Sequence, residues 1–464
     1  MTQETWSEAR LIPTSGINGA EEQERRATSA LLAVMTSVRE FGRALTQPLG
    51  APAGRVETYI EVPFHLGDRR VYPDGLIRIQ RGQRTWTALV EVKTGTNDLN
   101  PGQLEDYLDV AREHEYDVLL TISNEIPALP GQHPTAVDRK KLKKVALHHL
   151  SWTQVLSSAV LQKEHRGVAD PDQAWILGEL IRYLEHPRSG ALELDDMGAS
   201  WVPIRTAIGS GTLRASDKGL PEVVARFDAL LRFSSLQLGR RLGTEVVPVL
   251  SRRELAEPTL RAQSLIDSLV KDGILHGAIR IPGTIGPLVF KADLRAQRIT
   301  CHVDLDAPRE GRPTTRVKWL VRQLKAAPDS VRVESFALHA RGPGQSELLA
   351  AVREDPAVLV VDPARELKSF RVEMSTPTGT KRGRGRGAFI DSVLAAIDTF
   401  YSDVLQNLKA WSAAPPRLRE PEESTLDPLD SNALSSQDGP EPADTFAPAY
   451  TAESPSECAI DQTP

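Results

Sequence analysis

The spacing of apolar residues predicts a helix and three strands in the first hundred positions. An apolar stripe indicates an amphipathic helix over residues 19–45, and it consists of Leu31, Met35, Val38 and Leu45. Alternation predicts a strand over residues 56–64. The runs 74–79 and 86–92 predict two more strands, and the intervening Gly82-Gln83 makes a turn, so we expect these two strands to form a hairpin.

The same signals continue through a helix, two strands and another helix. Asn100-Pro101 starts a helix, because proline is tolerated in the first turn. Residues 117–123 are a short apolar run typical of a buried strand, and residues 144–150 predict another. Ser151 then caps a helix over residues 152–164.

Asp170-Pro171 marks a boundary, after which a second pattern begins. Helices are predicted over residues 172–185, 221–242, 254–271, 315–326 and 388–411. Strands are predicted over residues 275–281, 287–292, 298–305, 331–338, 357–361 and 370–374. On the first of these helices we expect a buried face formed by Trp175, Ile176, Leu180 and Tyr183. Residues 169–411 are therefore predicted to form a second, α+β domain of unassigned family, in which we find no pattern that carries chemistry.

Charge separates a slightly basic body from an acidic tail. Residues 412–464 contain 11 acidic and 2 basic residues and so carry a net charge of −9. The remaining residues, 1–411, contain 54 basic and 51 acidic residues and carry a net charge of +3. The tail is rich in proline and serine, so we expect it to be disordered, and residues 1–14 look like an irregular lead-in. A mildly basic body can bind nucleic acid through local patches.

Cysteine usage and hydropathy favour a reducing cytoplasm. The two cysteines, Cys301 and Cys458, argue against a disulfide framework, and neither has metal-ligand spacing. No apolar stretch approaches the length that spans a bilayer, and the polar N-terminus lacks a signal-peptide hydrophobic region. We therefore expect a cytoplasmic protein that is not embedded in a membrane.

The predicted hairpin carries the candidate chemistry. Asp74 opens its first strand, and Glu91 and Lys93 lie two apart on its second, so the latter two share a face and Asp74 can lie beside them. Two carboxylates can hold Mg²⁺, which also binds water and phosphate oxygens. A nearby ammonium can orient the attacking water or stabilise developing charge. This trio suits hydrolysis of a phosphodiester.

The segment Pro73-Asp74 … Glu91-Val92-Lys93 resembles the PD-(D/E)XK signature of restriction-endonuclease-like nucleases. Gln103 and Tyr107, four apart on the following helix, match the Gln-x-x-x-Tyr pattern of the RecB-like branch. The resemblance covers about residues 15–165. It implies an α/β fold with an αβββαβ core in a nuclease-like domain over residues 15–168, and a Mg²⁺-dependent nuclease, with Mn²⁺ as a substitute. It also implies that Gln103 and Tyr107 support the substrate or the lysine.

A further acidic ligand comes from the first helix or first strand in this family. Glu24 lies seven residues before Leu31, near the apolar stripe, so it is the first candidate for a third metal ligand beside Asp74 and Glu91. An exposed first-turn acid that interacts with the helix dipole is an equal alternative. Glu57 and Glu61 share a face of the predicted first strand and rank below Glu24.

Basic stretches offer candidate phosphate contacts, each with an ordinary solvated surface as its alternative. They are residues 139–144, the helix face of Lys318, Arg322 and Lys325, and the glycine-rich loop Lys381–Arg386. His148-His149 follows an apolar run, and we interpret it as packing or surface.

These observations favour a metal-dependent nuclease that acts on nucleic acid, most of all DNA, in repair or defence. The alternative is a catalytically silent nuclease-like fold that serves as a DNA-binding or assembly module. Residues 169–411 are then the candidate surface for a protein partner or a second copy of the chain. The repair or defence role follows from family analogy alone.

Overall fold

A computed structural model describes residues 11–12, 19–127 and 131–413. These residues have a mixed α/β fold, and residues up to Ser412 form one compact unit. The predicted tail over residues 412–464 lies outside the described residues from position 414 onward. The predicted lead-in over residues 1–14 lies outside them except for residues 11–12.

The first half of the chain is built on a five-stranded sheet. The strands of the first half are β1 (Arg55–Ile60), β2 (Phe64–Leu66), β3 (Arg69–Val71), β4 (Gly75–Arg81), β5 (Arg84–Val92), β6 (Val118–Ser123) and β7 (Ala146–Ser151). Of these, β2 and β3 form a separate two-stranded hairpin, and the other five form the sheet. Its helices are α1 (Ala20–Ser37), α2 (Arg39–Thr46), α3 (Pro101–Glu113), α4 (Trp152–Val160) and α5 (Pro171–Leu184). The strand order is β1-β4-β5-β6-β7, with β1, β4 and β5 antiparallel and β5, β6 and β7 parallel.

The predicted hairpin is confirmed as β4 and β5. Gly82 turns between them with a φ of 61°, a conformation that glycine adopts without strain. Gly75 pairs with Val90, which places the residue before β4 opposite the end of β5. A Cβ at position 75 would meet the Leu32 Cδ1 atom at 2.5 Å, so any larger residue there would require the Leu32 side chain of α1 to move.

The predicted first helix is interrupted. Val38 is extended, with φ −108° and ψ 93°, and it divides the segment into α1 and α2. At this break α2 approaches the end of α1 closely: a Cβ at Gly42 would lie 2.4 Å from the Met35 carbonyl oxygen, so only glycine fits there. The apolar stripe itself is confirmed, since all four of its residues are buried.

Two apolar cores sandwich the five-stranded sheet. One face packs against α1, α2, α4 and α5, and the other against α3. On α5, Leu177, Leu180 and Tyr183 are buried in the first of these cores, whereas Trp175 is 57% exposed, so the prediction that Trp175 is buried was wrong. The predicted boundary at Asp170 lies before α5 in the sequence, although α5 packs against the sheet of the first half.

The second half is built on a seven-stranded antiparallel sheet in the order β13-β12-β14-β11-β10-β9-β8. Its strands are β8 (Val247–Pro248), β9 (Ile274–Arg280), β10 (Leu288–Asp293), β11 (Arg298–Asp306), β12 (Arg332–Ala337), β13 (Gln345–Leu348) and β14 (Leu367–Pro377). The helices of this half are α6 (Trp201–Gly209), α7 (Leu220–Leu242), α8 (Arg252–Ala256), α9 (Pro258–Asp272), α10 (Pro313–Gln323), α11 (Leu349–Glu354) and α12 (Phe389–Asp403). Helices α7 and α12 both contact this sheet, and their apolar side chains share its core.

Several predictions for this half need correction. The run 357–361 is not a strand: Pro356–Leu359 forms a 3-10 turn that the Asp355 side chain caps. The last helix ends at Asp403 rather than Trp411, and the sequence did not predict β13 or α6. Cys301 is buried and free. In the described part of the chain, no helix is long and apolar enough to cross a membrane.

Candidate active site at the end of the central hairpin

The hairpin register brings Asp74 beside the end of β5. The Asp74 Oδ2 atom accepts a hydrogen bond from the Val92 backbone N–H at 2.7 Å. Burial raises the pKa of Asp74, and the Val92 N–H and the charge of Lys93 partly offset that rise. The carboxylate is thereby fixed to the backbone of the strand that carries Glu91 and Lys93.

Glu91 is the buried acid of the site. Only 1% of the residue is exposed, although carboxylates are rarely buried without partners. Its Oε1 atom accepts a hydrogen bond from the Lys93 Nζ atom at 2.6 Å, whereas no donor among the described residues reaches its buried Oε2 atom. When protonated, the Glu91 carboxyl can also hydrogen-bond to the neighbouring Asp74 carboxylate. Burial, and next the charge of Asp74, raise the pKa of Glu91 to about 8.

Lys93 lies between two carboxylates. Its Nζ atom is 2.6 Å from Glu91 Oε1 and 3.5 Å from Glu24 Oε2. Burial lowers the pKa of Lys93, but the charge of Glu91 and its hydrogen bond more than compensate, so the pKa lies above its usual value. The ammonium is therefore charged at any pH at which the protein works.

The backbone of Lys93 is held on both sides. Its N–H donates to the Ile122 carbonyl oxygen at 2.8 Å, and its carbonyl oxygen accepts from the Trp152 indole N–H at 2.9 Å. Trp152 is itself buried. The parallel strand β6 and the helix α4 therefore both fix the backbone of Lys93, which limits the positions that its side chain can reach.

The structure places Glu24 at the site, as predicted, but in contact with Lys93. Its second oxygen, Oε1, accepts a hydrogen bond from the Asn97 side chain at 2.6 Å. Glu57 and Glu61 are not part of this group: Glu61 pairs with Arg25 at 2.7 Å and is half exposed. Glu61 also has a φ of 50°, so the predicted strand ends before it.

Gln103 and Tyr107 are hydrogen-bonded to each other and to the backbone that precedes Asp74. The Gln103 side-chain amide donates to the Tyr107 hydroxyl at 3.0 Å, and that hydroxyl donates to the Tyr72 carbonyl oxygen at 3.0 Å. Tyr72 lies two residues before Asp74. Burial, and next the charge of Glu91, raise the pKa of Tyr107, which keeps its hydroxyl protonated as a donor.

We expect Tyr107→Phe to destabilise the fold by about 1 kcal/mol and to lower any activity of the site about tenfold, because the Tyr72 carbonyl would lose its donor. Urea unfolding and steady-state rates measure the two effects. Tyr116→Phe is the matched control, since Tyr116 packs in the same core and its hydroxyl bonds no described residue. Equal behaviour of the two variants would contradict the role that we assign to the Tyr107 hydroxyl.

Asp74 and Glu91 are the residues that fit a divalent metal ion. The unpartnered Glu91 Oε2 atom is a hard oxygen ligand beside a second carboxylate, and Mg²⁺ commonly binds one or two carboxylates and completes its shell with water and phosphate oxygens. In the part of the chain that the structure describes, no three His, Cys, Asp or Glu side chains are arranged to hold a metal. Glu24 as a third ligand stays a prediction.

The sequence did not predict two contacts of the site. Asn97 follows Lys93 by four residues in the same loop, and this proximity was a usable signal. Trp152 reaches Lys93 from 59 positions away in the sequence, and no local pattern predicts that contact.

The basic stretches lie away from the carboxylates or have internal partners. Residues 139–144 precede β7, and since β5 and β7 are parallel, they lie at the end of the sheet opposite Glu91. In the loop Lys381–Arg386, Arg384 pairs with Asp391 at 2.7 Å and Arg382 with Asp196 at 3.4 Å. Nucleic-acid contact by these stretches stays a prediction, as it does for the exposed Lys318, Arg322 and Lys325.

His149 belongs to a closed hydrogen-bond network, in agreement with its interpretation as a packing residue. The Thr121 hydroxyl lies 2.8 Å from His149 Nδ1 and 2.8 Å from His133 Nε2, and His149 Nε2 lies 3.0 Å from the Glu125 carbonyl oxygen. Burial lowers the pKa of His149 to about 4, so it is neutral at physiological pH.

Comparison with known proteins adds no assignment: no protein-family model matches the chain, and no curated protein matches it. A functional proposal therefore depends on the arrangement of the side chains themselves.

Proposed function

We propose that the chain is a Mg²⁺-dependent nuclease of the PD-(D/E)XK type, with DNA as its main substrate. The observation that carries the proposal is the buried Glu91 carboxylate, which has one unpartnered oxygen, a neighbouring Asp74 carboxylate and a hydrogen-bonded Lys93 ammonium. Burying two carboxylates side by side costs folding free energy, and such strain is retained mainly where function requires it.

The topology supports the same assignment. Helix α1, the strands β1, β4 and β5, helix α3 and strand β6 follow the helix, strand, strand, strand, helix, strand order of that family. The small β2–β3 hairpin is inserted between β1 and β4. Gln103 and Tyr107 lie on α3, the helix that follows the Lys93 strand.

In this proposal each residue has a defined task. Asp74 and Glu91 would hold Mg²⁺, which when bound polarises a phosphodiester and makes a coordinated water more acidic. Lys93 orients the attacking water and stabilises negative charge that develops on the phosphate oxygens. Gln103 and Tyr107 hold the backbone that leads into Asp74.

The test is a cleavage assay with the purified full chain and end-labelled single- and double-stranded DNA. We expect cleavage in Mg²⁺ or Mn²⁺ and none after EDTA, because the two carboxylates alone supply no Lewis acid. Labelled RNA in parallel reports the preferred nucleic acid. Absence of cleavage with every substrate and metal, together with measurable DNA binding, would instead support the silent binding module.

A further inference from the structure

A cavity of about 230 Å³ with a mixed polar and apolar lining lies at the end of β7, the edge strand of the first sheet, and shares no lining residue with the candidate active site. It is bordered by α2, the end of β7, α4 and α7, so it joins the two halves of the compact unit. Its lining includes the hydrogen-bond donors Arg232, His148, Gln154 and Ser158. Ala44 and Pro48 supply part of its apolar wall.

Arg232 is the charged group of this cavity. It is half-buried on α7, and a second cavity of about 200 Å³ adjoins the first, with Arg232, Gln154 and Ser158 among the residues that line both. Among the described residues, none accepts a hydrogen bond or forms an ion pair within 4 Å with its guanidinium. Burial lowers the pKa of Arg232, and the charge of Glu245, which lines only the second cavity, compensates in part.

The neighbouring donors are equally without partners in the described residues. The side chains of Gln154, Ser158 and His148 make no hydrogen bond there, although each borders the cavity. These three side chains and Arg232 are half-buried, so they keep some contact with solvent, but no described residue that lines the cavity carries a negative charge to pair with the Arg232 guanidinium. Glu245, in the adjoining cavity, is the nearest negative charge that acts on Arg232, and among the described residues it forms no ion pair with the guanidinium.

We propose that this cavity binds a phosphate group, with the Arg232 guanidinium as its principal ligand and Gln154, Ser158 and His148 as neutral donors. Arginine presents a planar fork that matches two oxygens of a phosphate, and phosphate has enough acceptors for the remaining donors. The site is separate from the Asp74–Glu91 pair, and the inference does not depend on the proposed nuclease function.

Inorganic phosphate is the first probe. Isothermal titration of the full chain with sodium phosphate, against sodium chloride at matched ionic strength, should show saturable binding. Arg232→Gln should weaken that binding about tenfold or more, the loss expected for charge-assisted hydrogen bonds. The matched control is Arg226→Gln on the same helix, where the arginine is exposed and outside the cavity, and this variant should bind like wild type.

Further arms distinguish the source of the phosphate. A nucleoside monophosphate that binds at least tenfold more tightly than inorganic phosphate would indicate a free phosphorylated ligand, whereas tighter binding of a short oligonucleotide would indicate a nucleic-acid backbone. Gln154→Ala should weaken phosphate binding even if Arg232→Gln fails to fold. Absence of saturable binding to wild type, or equal binding by wild type and Arg232→Gln, would overturn the proposal.

Discussion

Glu91→Gln should lower DNA cleavage about a thousandfold and at the same time leave the chain at least as stable as wild type at pH 8. The amide keeps the shape of the side chain but cannot supply a negatively charged oxygen to a metal. It also removes the cost of a buried negative charge next to Asp74. Loss of activity without loss of stability separates a functional carboxylate from a structural one.

The sign of the pH effect follows from the raised pKa of Glu91. In the folded chain this pKa is about 8, against 4.5 for the unperturbed side chain. Between these values the folded state holds a proton that the unfolded state releases, so the contribution of Glu91 to the free energy of unfolding falls as pH rises and is constant above about 8. Glu91→Gln lacks this contribution, so its stability relative to wild type should rise by roughly 4 kcal/mol between pH 5 and pH 9.

Urea unfolding of wild type and Glu91→Gln from pH 5 to pH 9, without divalent metal, measures this difference. Glu179→Gln is a matched control, because Glu179 is also a buried glutamate but lies on α5, and its replacement should leave cleavage largely unchanged. Retained cleavage by Glu91→Gln would remove the basis of the proposed metal site. A stability difference that shrinks with pH would show that ionised Glu91 is stabilising, contrary to its raised pKa.

The sequence predicts contacts of the site when the two residues in contact are close together along the chain. Glu91 and Lys93 share a strand face, Asp74 is one hairpin away, and Gln103 and Tyr107 are one helical turn apart, so periodicity alone brings each set together. Glu24 was a weaker prediction, because the direction of a helical side chain depends on how α1 packs. Its contact with Lys93 spans 69 positions of sequence and needs the assembled fold.

Errors in the fold occurred where local patterns were ambiguous. Helix α5 carries apolar residues on more than one face, and packing against α1 buries Leu177 rather than Trp175. The apolar run 357–361 resembles a strand, but Asp355 and Pro356 start a 3-10 turn in which the Asp355 side chain accepts a hydrogen bond from the Ala357 N–H at 2.9 Å. The Arg232 cavity joins segments more than a hundred residues apart, so no sequence pattern predicts it.

Lys93→Met should lower cleavage about a hundred- to a thousandfold without weakening the binding of Mg²⁺. Methionine keeps most of the length and apolar character of the side chain but removes the ammonium. In wild type that ammonium lies 2.6 Å from Glu91 Oε1, where it competes with a metal for the charge of the carboxylate. Its removal makes the Asp74–Glu91 pair more attractive to a cation and leaves the attacking water without its positive neighbour.

Cleavage rates over a range of Mg²⁺ concentrations separate the two effects, since the half-saturating concentration reports metal binding and the plateau reports chemistry. Lys141→Met is the matched control: Lys141 also pairs with a carboxylate, Asp109 at 2.8 Å, but precedes β7 at the opposite end of the sheet. A lower plateau with unchanged or lower half-saturation would assign Lys93 to the chemical step. A raised half-saturation with a normal plateau would make Lys93 a counter-ion that only organises the carboxylates.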